Sequence, residues 1–314
     1  MENTTAYSTK LYKSKIDNVP TDELCEHWKS AGFEGMEVKA WNVPVEEARK
    51  SRHIAEKHDF YLHSVMRGRA LFNHKNENIL RKSIEDTKHG FRTAAVYGAE
   101  VLLFVPCSIA DGILPMPHPW DYEVDFDPKT LMVKTVAAGD NSEYAEYIER
   151  HNESTEMAIA ALEELLPVAA REGVVMGIEH VLNNLWCTPE HFAAFINYFD
   201  SPWLRSYFDS ANNARYSRPE YWVKALGHTL VKVHIKGYKI TKELGKYGGG
   251  EGGWSKVDES TIDWKQVRDA LEEVNFNGWV SVEERGQTDE RYAQIIGEFD
   301  AGTLVNKISE PHTD

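Results

Sequence analysis

The 314-residue sequence is poor in cysteine and has no long apolar run. Its three cysteines, Cys25, Cys107 and Cys187, are odd in number and form no C-x-x-C pair, which argues against a disulfide framework and against a cysteine-ligated zinc site. A reducing cytoplasm is the expected compartment. No stretch approaches the ~18 apolar residues needed to span a bilayer. Residues 1–10 lack the apolar core of a signal peptide, so we expect neither a membrane protein nor a secreted one.

Basic charge is also scarce. Lysine and arginine together number 35 against 50 aspartates and glutamates, a net charge of −15, and the basic residues are scattered along the chain. A nucleic-acid backbone would meet a repelling average field, so we expect no nucleic-acid partner. No G-x-G-x-x-G motif follows the first predicted strand, which argues against a sheet that binds a nucleotide. The composition, 42% hydrophobic and 27% charged, is typical of a globular protein with a sizeable core.

Short apolar or β-branched runs alternate with segments of helical periodicity. The eight runs cover residues 11–16, 35–39, 60–65, 101–106, 174–180, 204–209, 230–236 and 279–285. Segments with apolar residues at i, i+3 and i+4 spacing lie between them, at 44–58, 154–172, 189–199, 219–226 and 262–274. Eight strand–helix alternations predict an α/β fold, a single-domain (β/α)8 TIM barrel over residues 1–314. An open doubly wound sheet is the alternative.

The regular spacing fails between residues 107 and 141. This segment contains PMPHPW (115–120) and the acidic DYEVDFDP (121–128), and its VDF and LMVKTV stretches suit the two strands of a hairpin. In a barrel, the segment would leave the C-terminal end of strand four, the end at which such barrels keep their active sites. We therefore predict a long insertion that acts as a lid or an oligomer contact.

The last four apolar runs each end in a polar residue. These residues are Glu179, Asp209, His234 and Glu283. A buried carboxylate at a strand end is costly unless it is paired, hydrogen-bonded or bound to a cation, although a helix N-cap is the alternative for any single one. In a closed barrel all four ends converge on one side of the mouth and can share a cation. Three carboxylates with one imidazole favour Mn²⁺ or Mg²⁺, with Co²⁺ also suited, over a thiolate-type zinc site.

Several motifs resemble one family, the xylose-isomerase-like TIM barrels of the sugar phosphate isomerase/epimerase type. The resemblance runs from about Lys10 to Val305 and rests on GFEGMEV, HSVMRG, GIEHVLNNLW, YFDSAN, RPEYWVKALG, VKVHIKGYK and NGWVSVEE. It implies one divalent metal, Mn²⁺ first, held by the four strand-end residues. Of the adjacent pair Glu283 and Glu284, only one can face inward, and the family pattern favours Glu283. The resemblance also implies a homo-oligomer, with a hetero-subunit left open.

A divalent metal at this site would bind a ketone and its neighbouring hydroxyl and stabilise an enediolate. By resemblance, Glu179 and Glu283 act as acid and base on opposite faces of a small carbohydrate or keto-sugar, which gives a metal-dependent isomerase or epimerase. The first alternative is a lyase that performs β-elimination on a keto-sugar, of the inosose-type dehydratase or 3-oxo-glycoside deglycosidase kind, with a glycoside as substrate. The second is a non-catalytic carbohydrate-binding barrel subunit.

Three positions depart from the usual family pattern. Asn212 stands where many members carry histidine, Gly237 replaces an aspartate after the H-x-K motif, and His180 follows the first glutamate where asparagine is common. We take Asn212 as a substrate-binding candidate and His180 as a second acid or base. His63, at the predicted end of strand three, is a similar candidate. A satisfied hydrogen-bonding role is the alternative for both histidines.

Other substrate-binding candidates are aromatic or charged residues assigned to strand ends and loops. Trp41, Trp120, Trp186 and Trp254 fall in predicted loops, where indole faces suit sugars, and core packing is the alternative. The charged candidates are Glu37, Arg67, Arg69, Arg215 and Lys236. A salt-bridged structural role is the alternative for Glu37. We interpret the glycine-rich KYGGGEGG (246–253) first as a flexible covering loop. A phosphate-binding loop is the second interpretation.

Overall fold

A computed structural model describes residues 9–284 and 286–306. Its strands are β1 (Leu11–Asp17), β2 (Gly35–Val38), β3 (Tyr61–Arg69), β4 (Val101–Val105), β5 (Asp125–Phe126), β6 (Val133–Thr135), β7 (Val175–Glu179), β8 (Leu204–Asp209), β9 (Leu230–Ile235), β10 (Gly237–Glu243), β11 (Gly250–Ser255) and β12 (Gly278–Val282). Eight of them form a closed barrel in the order β1-β12-β9-β8-β7-β4-β3-β2, with every pair parallel. The predicted (β/α)8 barrel is confirmed. Arg285, the last residue of the eighth predicted run, lies outside the described residues.

The helices cover the outside of the barrel. They are α1 (Asp22–Ala31), α2 (Val45–Lys57), α3 (Glu77–Tyr97), α4 (Ala145–Glu172), α5 (Pro189–Asn197), α6 (Ser210–Ala214), α7 (Pro219–Leu226), α8 (Trp264–Glu273) and α9 (Asp289–Asp300). Side-chain caps fix where some of them begin: Thr188 accepts from the backbone of His191 at 3.3 Å, which satisfies one of the free N–H groups of the first turn of α5. Within the described residues no helix is both long and apolar enough to cross a bilayer. All three cysteines are buried and free.

The insertion at 107–141 contains the predicted hairpin, seen as β5 and β6, which pair antiparallel. Asn152 on α4 bonds both backbone groups of Val133, at 2.8 and 3.0 Å. The His191 ring on α5 approaches the carbonyl oxygen of Leu131 at 3.4 Å. These contacts anchor the hairpin to the helices beside the mouth.

A second hairpin, β10–β11, follows β9 at the position for which the sequence predicts only flexible glycine-rich cover. The glycines allow its strands to approach closely. A Cβ at Gly252 would lie 2.2 Å from the carbonyl oxygen of Lys239. A Cβ at Gly237 would lie 2.4 Å from the carbonyl oxygens of Ser255 and Lys256. A side chain at position 237, such as the aspartate that the resemblance leads us to expect, would therefore clash with the backbone of this hairpin.

Candidate active site and metal centre

Four side chains converge at the C-terminal ends of β7, β8, β9 and β12. The Nδ1 atom of His234 lies 3.7 Å from Oε1 of Glu179, 3.9 Å from Oδ2 of Asp209 and 3.8 Å from Oε2 of Glu283. One ligand atom from each residue lies within 4.8 Å of the others. Glu179, Asp209 and His234 are buried and Glu283 is partly exposed. The structure thus brings together the four residues predicted as metal ligands.

The polar atoms of this cluster fit a divalent cation. Asp209 caps α6 through Oδ1, which accepts from the backbone N–H groups of Ala211 at 2.8 Å and Asn212 at 2.7 Å. Its other oxygen, Oδ2, and Nδ1 of His234 are buried and have no hydrogen-bond partner among the described residues. Two buried polar atoms that face the same point without partners lower the stability of the fold unless a ligand bonds to them. Burial, with the charges of Glu283 and Glu179, raises the pKa of Asp209 to about 7, and a cation would relieve that repulsion.

Glu37 orients the imidazole of His234 through Nε2, the ring nitrogen that faces away from the cluster. Its Oε2 lies 3.1 Å from Nε2 of His234 and also accepts the hydroxyl of Tyr207. The Glu37 side chain is fully buried and reaches His234 across the barrel from β2. A carboxylate at Nε2 keeps the proton on that nitrogen and directs the lone pair of Nδ1 into the cluster. Glu37, predicted to bind substrate, therefore contacts the candidate ligand His234 from the side away from the cluster.

Replacing Glu37 by glutamine is expected to weaken Mn²⁺ binding about 10- to 100-fold, because the imidazole loses the charged partner that fixes its orientation. Calorimetric titration of the metal-free protein with Mn²⁺ measures this. Glu284→Gln is the matched control, and its affinity should equal that of the wild type. Equal affinities in wild type and Glu37→Gln would contradict the orienting role.

Glu284 points away from the cluster. Its Oε2 accepts the backbone N–H of Val257 at 2.8 Å, and its Oε1 accepts from Gln287 at 3.1 Å. Since adjacent residues at a strand end face opposite sides, Glu283 is the one that reaches the mouth.

Two predicted substrate-binding residues contact the candidate ligands directly. Asn212 donates to Oε1 of Glu179 at 3.1 Å. Lys236 donates to Oε2 of Glu283 at 3.1 Å and lies 3.9 Å from Oδ2 of Asp209. Burial lowers the pKa of Lys236, but the carboxylates of Asp209 and Glu283 outweigh burial and raise it overall. The ammonium therefore stays charged beside the cluster.

The two histidines predicted as acid or base lie elsewhere. β3 continues to Arg69, so His63 sits near the N-terminal end of the barrel, opposite the mouth. There its ring stacks on Trp279 with centroids 4.3 Å apart, and its Nε2 lies 2.6 Å from Oγ of Ser14. His180 points outward from β7, as strand alternation requires. Its Nδ1 lies 3.0 Å from Oδ1 of Asn213, and burial lowers its pKa to about 4.

Trp186 and Arg67 also do not reach the cluster. Trp186 has a positive φ of 54°, and its buried indole stacks on Phe195 in the core. Its Nε1 donates to Thr155 at 3.2 Å. Arg67 donates to Ser83 of α3 at 3.0 Å, and its guanidinium carbon lies 5.2 Å from the ring centre of Trp41. These contacts correct the predicted substrate roles: both side chains join secondary-structure elements.

Trp120 and Arg215 lie around the second hairpin. Trp120 stacks on His118 with centroids 5.1 Å apart and packs against Gly245 in the turn between β10 and β11. Arg215 ends α6, and its carbonyl oxygen lies against Gly249 of the same turn. The insertion and the hairpin therefore meet at the rim of the mouth, where neither residue contacts the four-residue cluster.

A cleft of about 930 Å³ opens beside the cluster. Glu283 and Lys236 lie on its wall, together with Trp254 from β11 and the ends of β1 and β12. Of the four cluster residues, Glu283 lines this cleft, so the cleft reaches the edge of the candidate metal centre. Of the four predicted loop tryptophans, Trp254 lines this cleft. Tyr207, which donates to Glu37, is the contact missing from the predicted site. Tyr207 lies two residues before Asp209, so alternation places both inside the barrel.

Comparison with known proteins agrees with the fold. The sequence profile of the xylose isomerase-like TIM barrel family matches residues 25–299. No significant match was found among curated proteins. The 3-keto-D-glucoside 4-epimerase of E. coli is 14% identical, with a TM-score of 0.66 over 93% of this chain and 100% of that one. A D-tagatose 3-epimerase-like protein is 16% identical, with a TM-score of 0.67 over 93% and 98%. The IolI protein with a bound zinc atom is 15% identical, with a TM-score of 0.65 over 94% and 98%.

Proposed function

The chain belongs to the xylose isomerase-like TIM barrel family, and we propose that it is a divalent-metal-dependent sugar isomerase or epimerase that acts through an enediolate. The observation that carries this proposal is the cluster of Glu179, Asp209, His234 and Glu283, with two buried atoms that lack partners among the described residues. Two structurally similar proteins are named for sugar epimerisation, which agrees with a carbohydrate substrate.

The two glutamates take the acid and base roles. In the barrel order β12-β9-β8-β7, Asp209 and His234 lie between them, so Glu179 and Glu283 flank the centre from two sides. One carboxylate removes the proton next to the ketone and the other returns a proton, to the opposite face for epimerisation or to the neighbouring carbon for isomerisation. A bound cation supplies electrostatic stabilisation of the negative oxygen that develops.

The neighbours of each glutamate differ in charge. Glu179 accepts from the neutral amide of Asn212, whereas Glu283 accepts from the Lys236 ammonium. A nearby cation lowers the basicity of a carboxylate. We therefore assign Glu179 as the stronger base that removes the first proton, and Glu283 as its partner on the other face.

We propose Mn²⁺ as the natural metal, with Mg²⁺ and Co²⁺ as substitutes, because three carboxylates and one imidazole form an oxygen-rich set. The elimination reaction is less well supported, since His180, one of the candidate second acids, lies outside the mouth. A barrel subunit that only binds carbohydrate does not require such a cluster, in which two buried polar atoms lack a hydrogen-bond partner among the described residues.

Incubation in D₂O with Mn²⁺ and a panel of ketoses and 3-keto-glucosides tests the proposal. We expect NMR to show deuterium at the carbon next to the carbonyl, EDTA to abolish the exchange and Mn²⁺ to restore it. Release of water or an aglycone with an unsaturated product would identify a lyase instead. The absence of both exchange and metal dependence across the panel would contradict any metal-dependent enolisation.

A further inference from the structure

The second hairpin carries an exposed tryptophan to the rim of the mouth. Trp254 on β11 faces Tyr238 on β10, and their rings meet edge to face with centroids 5.6 Å apart. The Trp254 side chain is 53% exposed and lines the cleft. An indole held this open beside a cleft offers an apolar surface to a ligand.

The indole is linked to the candidate metal centre through Lys236. The Lys236 ammonium lies 4.6 Å from the ring centre of Trp254 and 3.1 Å from Oε2 of Glu283. This cation–π contact places the aromatic surface beside the lysine that bonds Glu283. At Gly252, two residues before Trp254, the absence of a side chain lets β11 approach the backbone of Lys239 closely.

The cleft is larger than one sugar ring requires. Its volume of about 930 Å³ lies near the upper end of the ~300–1,000 Å³ typical of pockets for drug-sized ligands. Of the four cluster residues, Glu283 alone lines this cleft, so a keto sugar held at the cluster would leave most of it empty. The rest of the wall includes Lys236 and Trp254.

We propose that the substrate is a keto-glycoside whose aglycone packs against Trp254 while its sugar ring occupies the four-residue cluster. This inference rests on the proposed function, because the sugar ring is placed by the reacting carboxylates. Trp254 is then the residue that sets the preference for a glycoside over a free sugar.

The kinetic test compares 3-keto-D-glucose with phenyl 3-keto-β-D-glucoside in the deuterium-exchange assay. In the wild type we expect a higher kcat/KM for the phenyl glycoside. Trp254→Ala should lower that value about tenfold and leave the value for the free sugar within twofold, because only the aglycone loses its aromatic partner. Trp254→Phe should retain part of the preference. Tyr247→Ala, in the turn of the same hairpin and outside the cleft, is the matched control. Equal losses for both substrates, or no loss, would overturn the proposal.

A binding measurement separates this inference from the proposed reaction. Saturation-transfer NMR with phenyl β-D-glucoside should show transfer to the phenyl protons in the wild type and in Tyr247→Ala, and little in Trp254→Ala. If no substrate exchanges deuterium but this transfer still depends on Trp254, the aglycone site stands and the reaction is wrong. Equal transfer in wild type and Trp254→Ala removes the aglycone site, whatever the enzyme catalyses.

Discussion

Glu179→Gln is expected to lower kcat for deuterium exchange about 10³-fold at saturating Mn²⁺, which is within the range for loss of a general base. Glutamine has nearly the same shape as glutamate and still offers Asn212 an oxygen, but it cannot accept the substrate proton. Because Glu179 also faces Nδ1 of His234 at 3.7 Å, the change should weaken metal binding as well. Rates are therefore compared over a range of Mn²⁺ concentrations.

Metal content separates the two roles of Glu179. Elemental analysis should show little Mn²⁺ in His234→Ala, which loses the single nitrogen donor, and reduced Mn²⁺ in Glu179→Gln. Glu284→Gln is the control for charge removal next to the site, because its carboxylate bonds Val257 and Gln287 instead of the cluster. Wild-type metal content in both His234→Ala and Glu179→Gln would contradict the ligand assignment.

Acidification from pH 6.5 to 4 is expected to cost the fold about 3 kcal/mol through His191 alone. Burial lowers the pKa of His191 to about 4 and that of His151 well below the usual value. The rings stack with centroids 5.3 Å apart, so a charge on one opposes a charge on the other. Below about pH 6.5 the unfolded chain binds protons that the folded chain does not, so stability is full above this pH and falls as pH falls. Urea unfolding at pH 7.5, 6, 5 and 4 measures the loss.

His191→Phe removes one of these protonation sites. Phenylalanine retains the stacking on Phe126 and His151 and loses the contact with the carbonyl of Leu131. The variant should therefore lose less stability between pH 6.5 and 4, even if it starts lower at pH 7.5. His53→Gln is the control, since His53 is exposed. An unchanged slope in His191→Phe would show that another group drives acid unfolding.

The barrel was predictable because a parallel strand that is covered on both faces is mostly apolar along its length, which is visible in the sequence. Residues 101–106 form a continuous apolar run, and β4 begins at its first residue, Val101. The predicted run at 204–209 is less uniform, but β8 covers the same residues. The gathering of the four polar strand ends followed from closure of the barrel, since consecutive strands end side by side. Periodicity and topology together therefore placed Glu179 and Asp209 at one mouth.

The pattern of residues along the sequence could not predict contacts between distant strands. Glu37 and His234 are 197 positions apart, and nothing in either neighbourhood predicts that they meet across the barrel. His63 was misplaced because the apolar run stops at Val65, whereas pairing with β4 extends β3 to Arg69. Trp186 was misplaced because nothing in the sequence signals that the indole of this loop residue is buried in the core against Phe195.

The β10–β11 hairpin has the geometry of a segment that can be inserted or removed as one unit. Gly237 pairs directly with Ser255, so the hairpin begins and ends at almost one point. Removing or exchanging residues 237–255 would then leave the backbone of β9, with His234 on it, nearly undisturbed. A rim element with such adjacent ends can be exchanged without a change in the order of the barrel strands. The wall of the cleft would then change, while the four strand-end residues keep their places.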